Sequence, residues 1–520
     1  MKIAIINSKI DIAGCNIRRH LLKRLGIKEI DEWGGGNAGG KSPGVDEQIT
    51  FCNHSLRFLE TEEKLIYQNG LDERTDCDLI IFISRHSSQN PMPALTVHTT
   101  GNYGKAMLGG NDRELATAAP AMMHAVLNAM NRRLKAAAVT EDNAEKGAGT
   151  DGNTQPDIGR YRLSYEVTHH GPTDLKTPSL FVEIGSTIEE WQDEDAGELV
   201  AGAVLDALSL DSCTLNDVIR LIGLGGTHYA ARQTEISLES KGAFGHIAHT
   251  REIAGITAEA IEAMIEKTAA DAAYIDRKAL NAQELKRLES VFIECRYADI
   301  PILSEGEIRG IKDLSWRNYL TVRKFANENF PGSHLHICAL SDCATADATE
   351  DATDTTDAAH TEHAAHEAHP AHAPHAEKTP EIIEINPELL AEACLADRKK
   401  VLDAVGSMKI AALFTENGNL EPKFITYKEF KDQTINGLIS LCVKILHKES
   451  FTATEGDTLI LKKVRFDPAR ATELGVPKGP SFGRLAAGFE INLNGRIITP
   501  EMVSNQITKV IRIKGLEKYL

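Results

Sequence analysis

Short apolar runs alternate along the first half of the chain with segments whose apolar residues have helical spacing. Met1–Asn7 (MKIAIIN) is apolar and β-branched, which predicts a strand, and Asp11–Leu25 then has the spacing of a helix. Asp78–Ile83 (DLIIFI) is a continuous apolar run, typical of a strand buried on both faces, and Leu95–His98 is a shorter one. Alternating strands and helices predict an α/β fold.

The stretch Ser164–Asp195 holds the densest combination of strand-like runs and polar side chains. Leu163–Thr168 reads as a strand that ends in two histidines, and Ser179–Ile184 reads as a second strand after a Gly-Pro turn. Asp112–Leu134 before it has helical spacing, with a break expected at Pro120. Further strands are predicted from apolar runs or alternation at Ile219–Gly226, Thr234–Leu238, Val291–Cys295 and Leu335–Ile337.

Composition divides the chain into two folded parts and a linker. Residues 1–340 form the predicted catalytic domain, with a polar, glycine-rich flexible insertion at 136–160. Residues 341–380 are rich in Ala, Thr, Asp and His, cannot bury enough apolar surface to fold, and are predicted to be a disordered linker. Residues 381–520 form a smaller C-terminal α+β domain, with a helix at Glu388–Leu402 and strands at Ile410–Phe414 and Asp457–Val464.

The charge distribution permits a nucleic-acid partner although the whole chain is acidic. The formal net charge is −18, but Glu141–Asp157 and Asp342–Lys378 carry −4 and −8 of it. Aromatic residues make up only 5%, which argues against a stacking platform for single-stranded nucleic acid. The nine cysteines form no CxxC pair, and there is no apolar stretch of about 18 residues, so we expect a cytoplasmic protein without a membrane span.

Two other motifs have competing interpretations. Gly35–Ser42 (GGNAGGKS) matches the Walker pattern, but the charged residues before it do not form a buried strand, and a flexible loop is the favoured interpretation. In the linker, histidines recur at every third position from His360 to His375. They would share one face of a polyproline II helix and bind metal, or form a low-complexity repeat without a function.

Polar side chains follow apolar runs in several places, which predicts a convergent site. Histidine and glutamate are ligands of a catalytic zinc, although no compact signature such as HExxH is present. A metal-free alternative uses histidine as general base for water. Arg85 and Arg232 are candidate phosphate contacts, and Asn102 and Ser186 are candidates for holding an oxyanion or positioning substrate. The candidate metal or acid/base residues are His86, His98, His169, His170, Glu183 and His228.

Three long motifs resemble the D-aminoacyl-tRNA deacylases of archaea and plants. They are SRHSSQNPMPALTVHTTGNYG (Ser84–Gly104), YEVTHHGPTDLKTPSLFVEIGSTIEEW (Tyr165–Trp191) and GLGGTHYAARQTE (Gly223–Glu235). The resemblance extends over most of residues 1–340, and 381–520 resembles the extension of longer archaeal members. GVPKGPSFGRLAAG in that extension also resembles a stretch of the tRNA 3′-processing zinc ribonucleases, whose HxHxDH motif is absent.

The resemblance implies hydrolysis of the ester between a D-amino acid and the tRNA 3′ end, which keeps D-amino acids out of translation. It also implies dependence on Zn²⁺ and a phosphorylase/hydrolase-like mixed α/β sheet flanked by helices. We place the metal at His169, His170 and Glu183, with these residues overlapping the catalytic set. The expected partner is D-aminoacyl-tRNA, and we infer no protein partner, no membrane and a monomer.

Two other functions remain open at this level. One is a peptidyl-tRNA hydrolase-like or nucleoside phosphorylase-like activity on a similar core. The other is a non-enzymatic protein that binds tRNA or stores metal, in which the histidine tract of the linker is the working part.

Overall fold

The chain divides into two compact units, Met1–Ile311 and Lys312–Leu520. The computed structural model describes residues 1–27, 49–88, 91–144, 158–311, 314–341, 378–449 and 451–520. The Walker-like segment Gly35–Ser42 and the linker histidines His360–His375 lie outside the described residues. Among the described residues, no helix is long and apolar enough to cross a membrane.

The first unit is built around a seven-stranded mixed sheet with the strand order β2-β3-β1-β4-β7-β5-β6. The strands β3, β1, β4 and β7 are parallel, β2 is antiparallel to β3, and β5 is antiparallel to β7. The large apolar side chains that the sequence predicts for β1 and β4 are buried. The strands are β1 (Lys2–Ser8), β2 (Ile49–Phe51), β3 (His54–Thr61), β4 (Leu79–Arg85), β5 (Ala94–His98), β6 (Arg162–Tyr165) and β7 (Ser179–Gly185).

A second, four-stranded parallel sheet completes this unit, in the order β11-β10-β8-β9. Its strands are β8 (Ile219–Leu224), β9 (Gly242–Ala248), β10 (Ala272–Ile275) and β11 (Ile302–Leu303). The helices of the first unit are α1 (Ile12–Arg24), α2 (Leu71–Thr75), α3 (Pro120–Ala144), α4 (Ile188–Trp191), α5 (Glu194–Leu208), α6 (Ser212–Asn216), α7 (Ala231–Glu239), α8 (Thr250–Ile253), α9 (Ala258–Thr268), α10 (Ala282–Glu294) and α11 (Glu305–Gly310).

The second unit contains three smaller antiparallel sheets. Their strands are β12 (His334–Ile337), β13 (Pro380–Glu384), β14 (Ala411–Phe414), β15 (Leu420–Tyr427), β16 (Phe451–Glu455), β17 (Thr458–Phe466), β18 (Ile491–Leu493), β19 (Arg496–Ile498) and β20 (Ser504–Arg512). The sheet orders are β12-β14-β15-β13, β16-β17-β20 and β18-β19. The helices are α12 (Trp316–Asn329), α13 (Pro387–Gly406), α14 (Lys431–Glu449), α15 (Pro468–Glu473) and α16 (Pro480–Ala486). The predicted class, a large mixed α/β sheet with a smaller C-terminal α+β part, is therefore confirmed.

Two segments that were predicted as strands are helical, because their buried residues have helical spacing. Thr234–Leu238 lies in α7, where Gln233, Ile236 and Ser237 are buried at helical spacing. Val291–Cys295 is the end of α10, which starts far upstream at a capping box between Asn281 and Glu284. The buried Leu288, Val291 and Phe292 of α10 are spaced i, i+3 and i+4, which an apolar run read in isolation does not reveal.

Two boundaries also differ from the predicted ones. Pro120 starts α3 and does not break it, because proline is tolerated in the first turn, where its missing N–H has no partner to lose. The helix continues to Ala144, so the beginning of the predicted insertion 136–160 is helical. β12 pairs with β14, which places this strand in the second unit, whereas the predicted domain boundary lies at residue 340.

Candidate active site

Strand register places the candidate side chains on one face of the large sheet. In the ladder, Ser84 of β4 lies opposite Glu183 of β7, and His98 of β5 lies opposite Phe181 of β7. Side chains opposite one another in a ladder project to the same face, and so do residues two apart along a strand. Glu183, Phe181, Ser84 and His98 therefore share one face, and His86 extends it because its N–H donates to the Ile184 carbonyl at 2.9 Å.

The antiparallel direction of β5 explains how His98 comes to lie beside Glu183. If all strands were parallel, the residue that ends β5 would lie at the end of β7. Because β5 runs antiparallel to β7, His98 lies next to the middle of β7, and its Nε2 is 3.7 Å from Glu183 Oε2. Ser84 Oγ donates to the other oxygen of Glu183 at 2.7 Å and orients that carboxylate.

A backbone pairing between the segments that follow β6 and β8 brings His228 to the same face. Glu166 and Tyr229 form an isolated antiparallel bridge, and the Val167 N–H donates to the His228 carbonyl at 3.0 Å. As a result His228 Nε2 lies 2.9 Å from Glu166 Oε2. The loop after β8 thus closes one side of the site.

Glu166 is the central residue that the sequence did not single out. Its carboxylate is fully buried and lies 3.1 Å from His86 Nδ1 and 3.5 Å from His169 Nε2. Apart from these contacts with ring nitrogens and the one with His228, neither carboxylate oxygen has a hydrogen-bond partner among the described residues. A charged residue inside the strand-like run SYEVTHH was the available signal, because a buried carboxylate needs a partner.

In three histidines of the site, Nδ1 contacts a backbone carbonyl, which leaves Nε2 for another partner. The Nδ1 atoms of His98, His169 and His170 lie 3.1, 2.8 and 2.7 Å from the backbone carbonyls of Thr99, Val167 and Gly171, respectively. A carbonyl only accepts, so Nδ1 carries a proton in each of the three rings, and in the rings that are neutral Nε2 keeps its lone pair. Metal-ligating histidines are commonly oriented by such contacts.

The electrostatics divide the histidines into two groups. Burial disfavours the imidazolium form, but the carboxylates of Glu166 and Glu183 outweigh it and raise the pKa of His86 to about 11. The same carboxylates raise the pKa of His98 against its burial. Burial and the positive charge of His98 lower the pKa of His170 to about 4, and burial together with the neighbouring histidines lowers that of His169 well below its usual range. His169 and His170 are therefore neutral at physiological pH, as ligands must be.

The two carboxylates are held ionised by these histidines. Burial alone would raise the pKa of Glu166 and Glu183. The contacts with His228 and His86 lower the pKa of Glu166 well below its usual range, and the contacts with His86 and His98 lower that of Glu183. The site thus combines two ionised carboxylates with the neutral imidazoles of His169 and His170 and with His86 and His98, whose pKa values are raised.

The donor set fits a divalent metal. The buried His98 Nε2 and both oxygens of Glu166 have no hydrogen-bond partner among the described residues, which is costly unless another group satisfies them. Neutral imidazole and carboxylate are ligands that zinc accepts. Three sets of donors have atoms within 4.8 Å of one another: His98, His169 and His170; His86, Glu166 and His228; and His98, Glu166 and Glu183.

The remaining predicted residues have other partners. The Asn102 side-chain amide donates to the backbone carbonyls of Gly109 and Asn111. The Ser186 hydroxyl accepts from the Met92 N–H and donates to the Met92 carbonyl. The Arg232 guanidinium is paired with Asp276 at 3.2 Å and Glu305 at 3.0 Å, so it joins the ends of β10 and β11. The roles predicted for these three side chains stay predictions.

Arg85 is the predicted tRNA contact that lies at the site. Its guanidinium lies over the ring of Trp191, 5.0 Å from the ring centroid, and the Trp191 indole N–H donates to the His86 carbonyl at 2.9 Å. A cleft of about 560 Å³ opens here, and Arg85, Trp191, His86, His169, His170, Glu183 and His228 line it together.

The fold and the donors define a mixed α/β protein with a buried histidine–glutamate centre suited to a divalent metal. A model of the D-aminoacyl-tRNA deacylase family matches residues 73–298. D-aminoacyl-tRNA deacylases of Methanoculleus marisnigri and Methanoregula boonei are 39% and 40% identical over 520 residues, which is 100% of this chain and of each relative. The chain belongs to the D-aminoacyl-tRNA deacylase family.

One solved structure, of a shorter chain, is similar to part of this chain. The crystal structure of a conserved protein of unknown function, AF0625, is 32% identical, and the match covers 59% of this chain and 96% of that chain with a TM-score of 0.48.

Proposed function

We propose that the protein hydrolyses the ester bond of D-aminoacyl-tRNA and releases free tRNA and a D-amino acid. Membership of the deacylase family supports the reaction, and the relatives that match over their whole length carry that name. The observation that supports the site is the three groups of histidine and glutamate donors within 4.8 Å of one another, several of which line an open cleft. Such a reaction takes place in the cytoplasm, where aminoacyl-tRNA is used.

We propose Zn²⁺ as the metal of this centre. The Nε2 atoms of His98, His169 and His170 would hold it, and the donors of His86, Glu166 and His228 offer a second place beside the first. When bound, zinc polarises an ester carbonyl and lowers the pKa of water to about 7. This choice of ligands adds His98 to the predicted His169 and His170. The carboxylate of Glu183 lies between His86 and His98.

The protein's own groups then position the reactants and move protons. Glu183 is oriented by Ser84 through one oxygen, and its other oxygen lies 3.7 Å from both His86 Nδ1 and His98 Nε2. Glu183 also lines the cleft, where we propose that it accepts a proton from water. The imidazole of His86 lies 3.0 Å from the Tyr229 hydroxyl, which fixes the ring between this hydroxyl and the two carboxylates. Arg85 and its support Trp191 stand at the rim of the cleft, where we propose that Arg85 contacts the tRNA 3′ end.

The test is hydrolysis of matched D- and L-aminoacyl-tRNA by the full chain, before and after removal of metal and after addition of Zn²⁺. We expect rapid hydrolysis of the D-ester by the metal-loaded protein, much slower hydrolysis of the L-ester, and loss of activity in the metal-free protein. Absence of D-ester hydrolysis by the metal-loaded protein would refute the reaction. Full activity without metal would support the proposed reaction but refute the role of zinc.

A further inference from the structure

The sheet β16-β17-β20 of the second unit has a basic character that contrasts with the acidic chain. Its strands β17 and β20 carry five basic residues and no acidic one, whereas the whole chain has a formal net charge of −18. A local excess of positive charge in an acidic protein indicates a surface for a negatively charged partner. The five basic residues are Lys462, Lys463, Arg465, Lys509 and Arg512.

Strand register divides β17 and β20 into a covered face and an open face. Leu459, Leu461 and Ile511 project to one side and are buried in a hydrophobic core of the second unit. The alternate residues project to the other side, because side chains along a strand point to opposite faces in turn. On that side Val464 is 74% exposed and Val510 is 53% exposed, so this face is open to solvent. We call Lys462, Val464, Gln506, Thr508, Val510 and Arg512 the open sheet face.

The open sheet face presents two basic side chains at separate positions. Lys462 lies opposite Thr508 in the ladder, and Arg512 lies opposite Thr458. Thr458 and Lys462 are about 14 Å apart along β17, at a rise of about 3.4 Å per residue, so the two charges can meet different phosphates. Gln506 and Thr508 add side chains of the kind that hydrogen-bond to phosphate and sugar oxygens of nucleic acids.

One acidic residue of the edge strand borders the open sheet face. Glu455 of β16 lies opposite Thr458, which in turn lies opposite Arg512. Residues opposite one another in a ladder project to the same side, and Glu455 is exposed. Its carboxylate would repel a phosphate that is bound at Arg512. Removal of this charge should therefore have the opposite effect to removal of the basic charges.

We propose that the open sheet face binds the phosphate backbone of RNA, and that this RNA is the tRNA. The choice of tRNA rests on the proposed function, whereas the binding of phosphates is argued from the charge, register and exposure of this sheet. Lys462 and Arg512 neutralise phosphates and release their counterions, so the affinity falls as salt is added and does not depend on the base sequence.

The experiment measures Kd of the full chain for a fluorescent tRNA without an aminoacyl group, over a series of salt concentrations. The double variant Lys462→Gln/Arg512→Gln should bind about 10-fold more weakly and lower the slope of log Kd against log salt by about 2, since each lost phosphate contact lowers it by about 1. Glu455→Gln should bind more tightly than the wild type. An RNA duplex of unrelated sequence should rank the variants in the same order.

The double variant Lys324→Gln/Lys444→Gln is the matched control. It removes the same charge from exposed positions of α12 and α14, in the same unit but outside this sheet. We expect it to keep the wild-type Kd and salt slope. Equal tRNA affinities of the two double variants would overturn the inference and leave the face to another partner, such as an acidic protein.

The Glu455→Gln variant keeps the test decisive if the other variants lose stability. Tighter binding does not arise from unfolding, so an increase in affinity supports the inference, and an unchanged or lower affinity contradicts it. The probe carries no ester, so the measurement is separate from the proposed reaction. Absence of D-ester hydrolysis would refute the reaction and leave the RNA result standing, and normal hydrolysis with unchanged tRNA affinities would refute only the inference.

Discussion

Two buried histidines in the first unit, His246 and His98, differ in whether both ring nitrogens have hydrogen-bond partners. His246 lies inside β9 and is fully buried, with Nδ1 at 3.1 Å from the Thr168 hydroxyl and Nε2 at 2.8 Å from the Ala116 carbonyl. His98 is equally buried, but only its Nδ1 has a partner, and its Nε2 faces Glu183 at 3.7 Å without a hydrogen bond.

The difference separates a structural histidine from a candidate ligand. Burial lowers the pKa of His246 to about 4, so the neutral ring is satisfied at both nitrogens by its neighbours. At the site, His98 Nε2 is unsatisfied among the described residues, and it lies within 4.8 Å of candidate donor atoms of His169, His170, Glu166 and Glu183. Because unsatisfied buried polar atoms are costly, their concentration in one place indicates a bound group, whereas burial alone does not.

The largest expected effect is on the candidate ligand His170. His170→Ala removes an Nε2 donor and should lower turnover of D-aminoacyl-tRNA by about 100-fold or more and also lower bound zinc, because an oriented metal centre contributes several kcal/mol to the transition state. Steady-state hydrolysis and metal analysis of the same sample measure both. Normal turnover with normal zinc would remove His170 from the site.

The second prediction concerns Glu166, the buried carboxylate between His86 and His228. Glu166→Gln keeps the shape but removes the charge, so we expect weaker zinc binding and a loss of activity of about 10–100-fold. Zinc affinity measured by competition with a chelator, together with kcat, tests this. Unchanged zinc affinity would mean that Glu166 only holds the two histidines.

A smaller effect is expected for the residue behind Glu183. Ser84→Ala removes the 2.7 Å hydrogen bond that orients the carboxylate, and such outer contacts at metal sites are worth about 10-fold or more. We expect kcat to fall while KM for the tRNA changes little. A change confined to KM would argue against a role for Glu183 in proton transfer.

The structural histidine should show no catalytic effect but a measurable effect on stability. His246→Gln should keep zinc and turnover within about 2-fold while lowering the free energy of unfolding by about 1–3 kcal/mol, the cost of an unsatisfied buried polar group. Loss of zinc in this variant, with the fold retained, would break the distinction between the two histidine environments.

The same variant should change the pH dependence of stability. The folded pKa of His246 is about 4 and the unfolded one about 6.5, so between these values the unfolded chain binds a proton that the folded chain does not. The stability contributed by the neutral ring is fully present above pH 6.5 and is lost as the pH falls from 6.5 to 4, by up to about 3 kcal/mol. Urea unfolding of wild type and His246→Gln at pH 7 and 4.5 should show the larger loss in the wild type. An equal loss would contradict the assignment.

Much of the fold and most residues of the candidate site could be predicted from the sequence. Apolar runs predict β1, β4, β5 and β7 because buried parallel and central strands are continuously apolar. The histidines after these runs do converge, since His86, His98, His169, His170 and His228 line or border one space. Alternation alone misreads α7, whose buried residues depend on tertiary packing.

What could not be predicted depends on long-range pairing. The bridge between Glu166 and Tyr229 joins two sheets, and no local pattern encodes it. The antiparallel direction of β5 moves His98 into the middle of the site, which strand-end reasoning does not anticipate. The ion pair of Arg232 with Glu305 likewise joins residues that are distant in the chain, so a local pattern does not reveal it.

The most direct test of the central claim is the rate of D-aminoacyl-tRNA hydrolysis as a function of zinc bound per chain. Metal-free protein is loaded with increasing Zn²⁺, and bound zinc and single-turnover rate are measured on each sample. Our account predicts negligible hydrolysis without zinc and a rate that rises with occupancy until the site is full. Rapid hydrolysis by the metal-free protein, unchanged by added zinc, would contradict it.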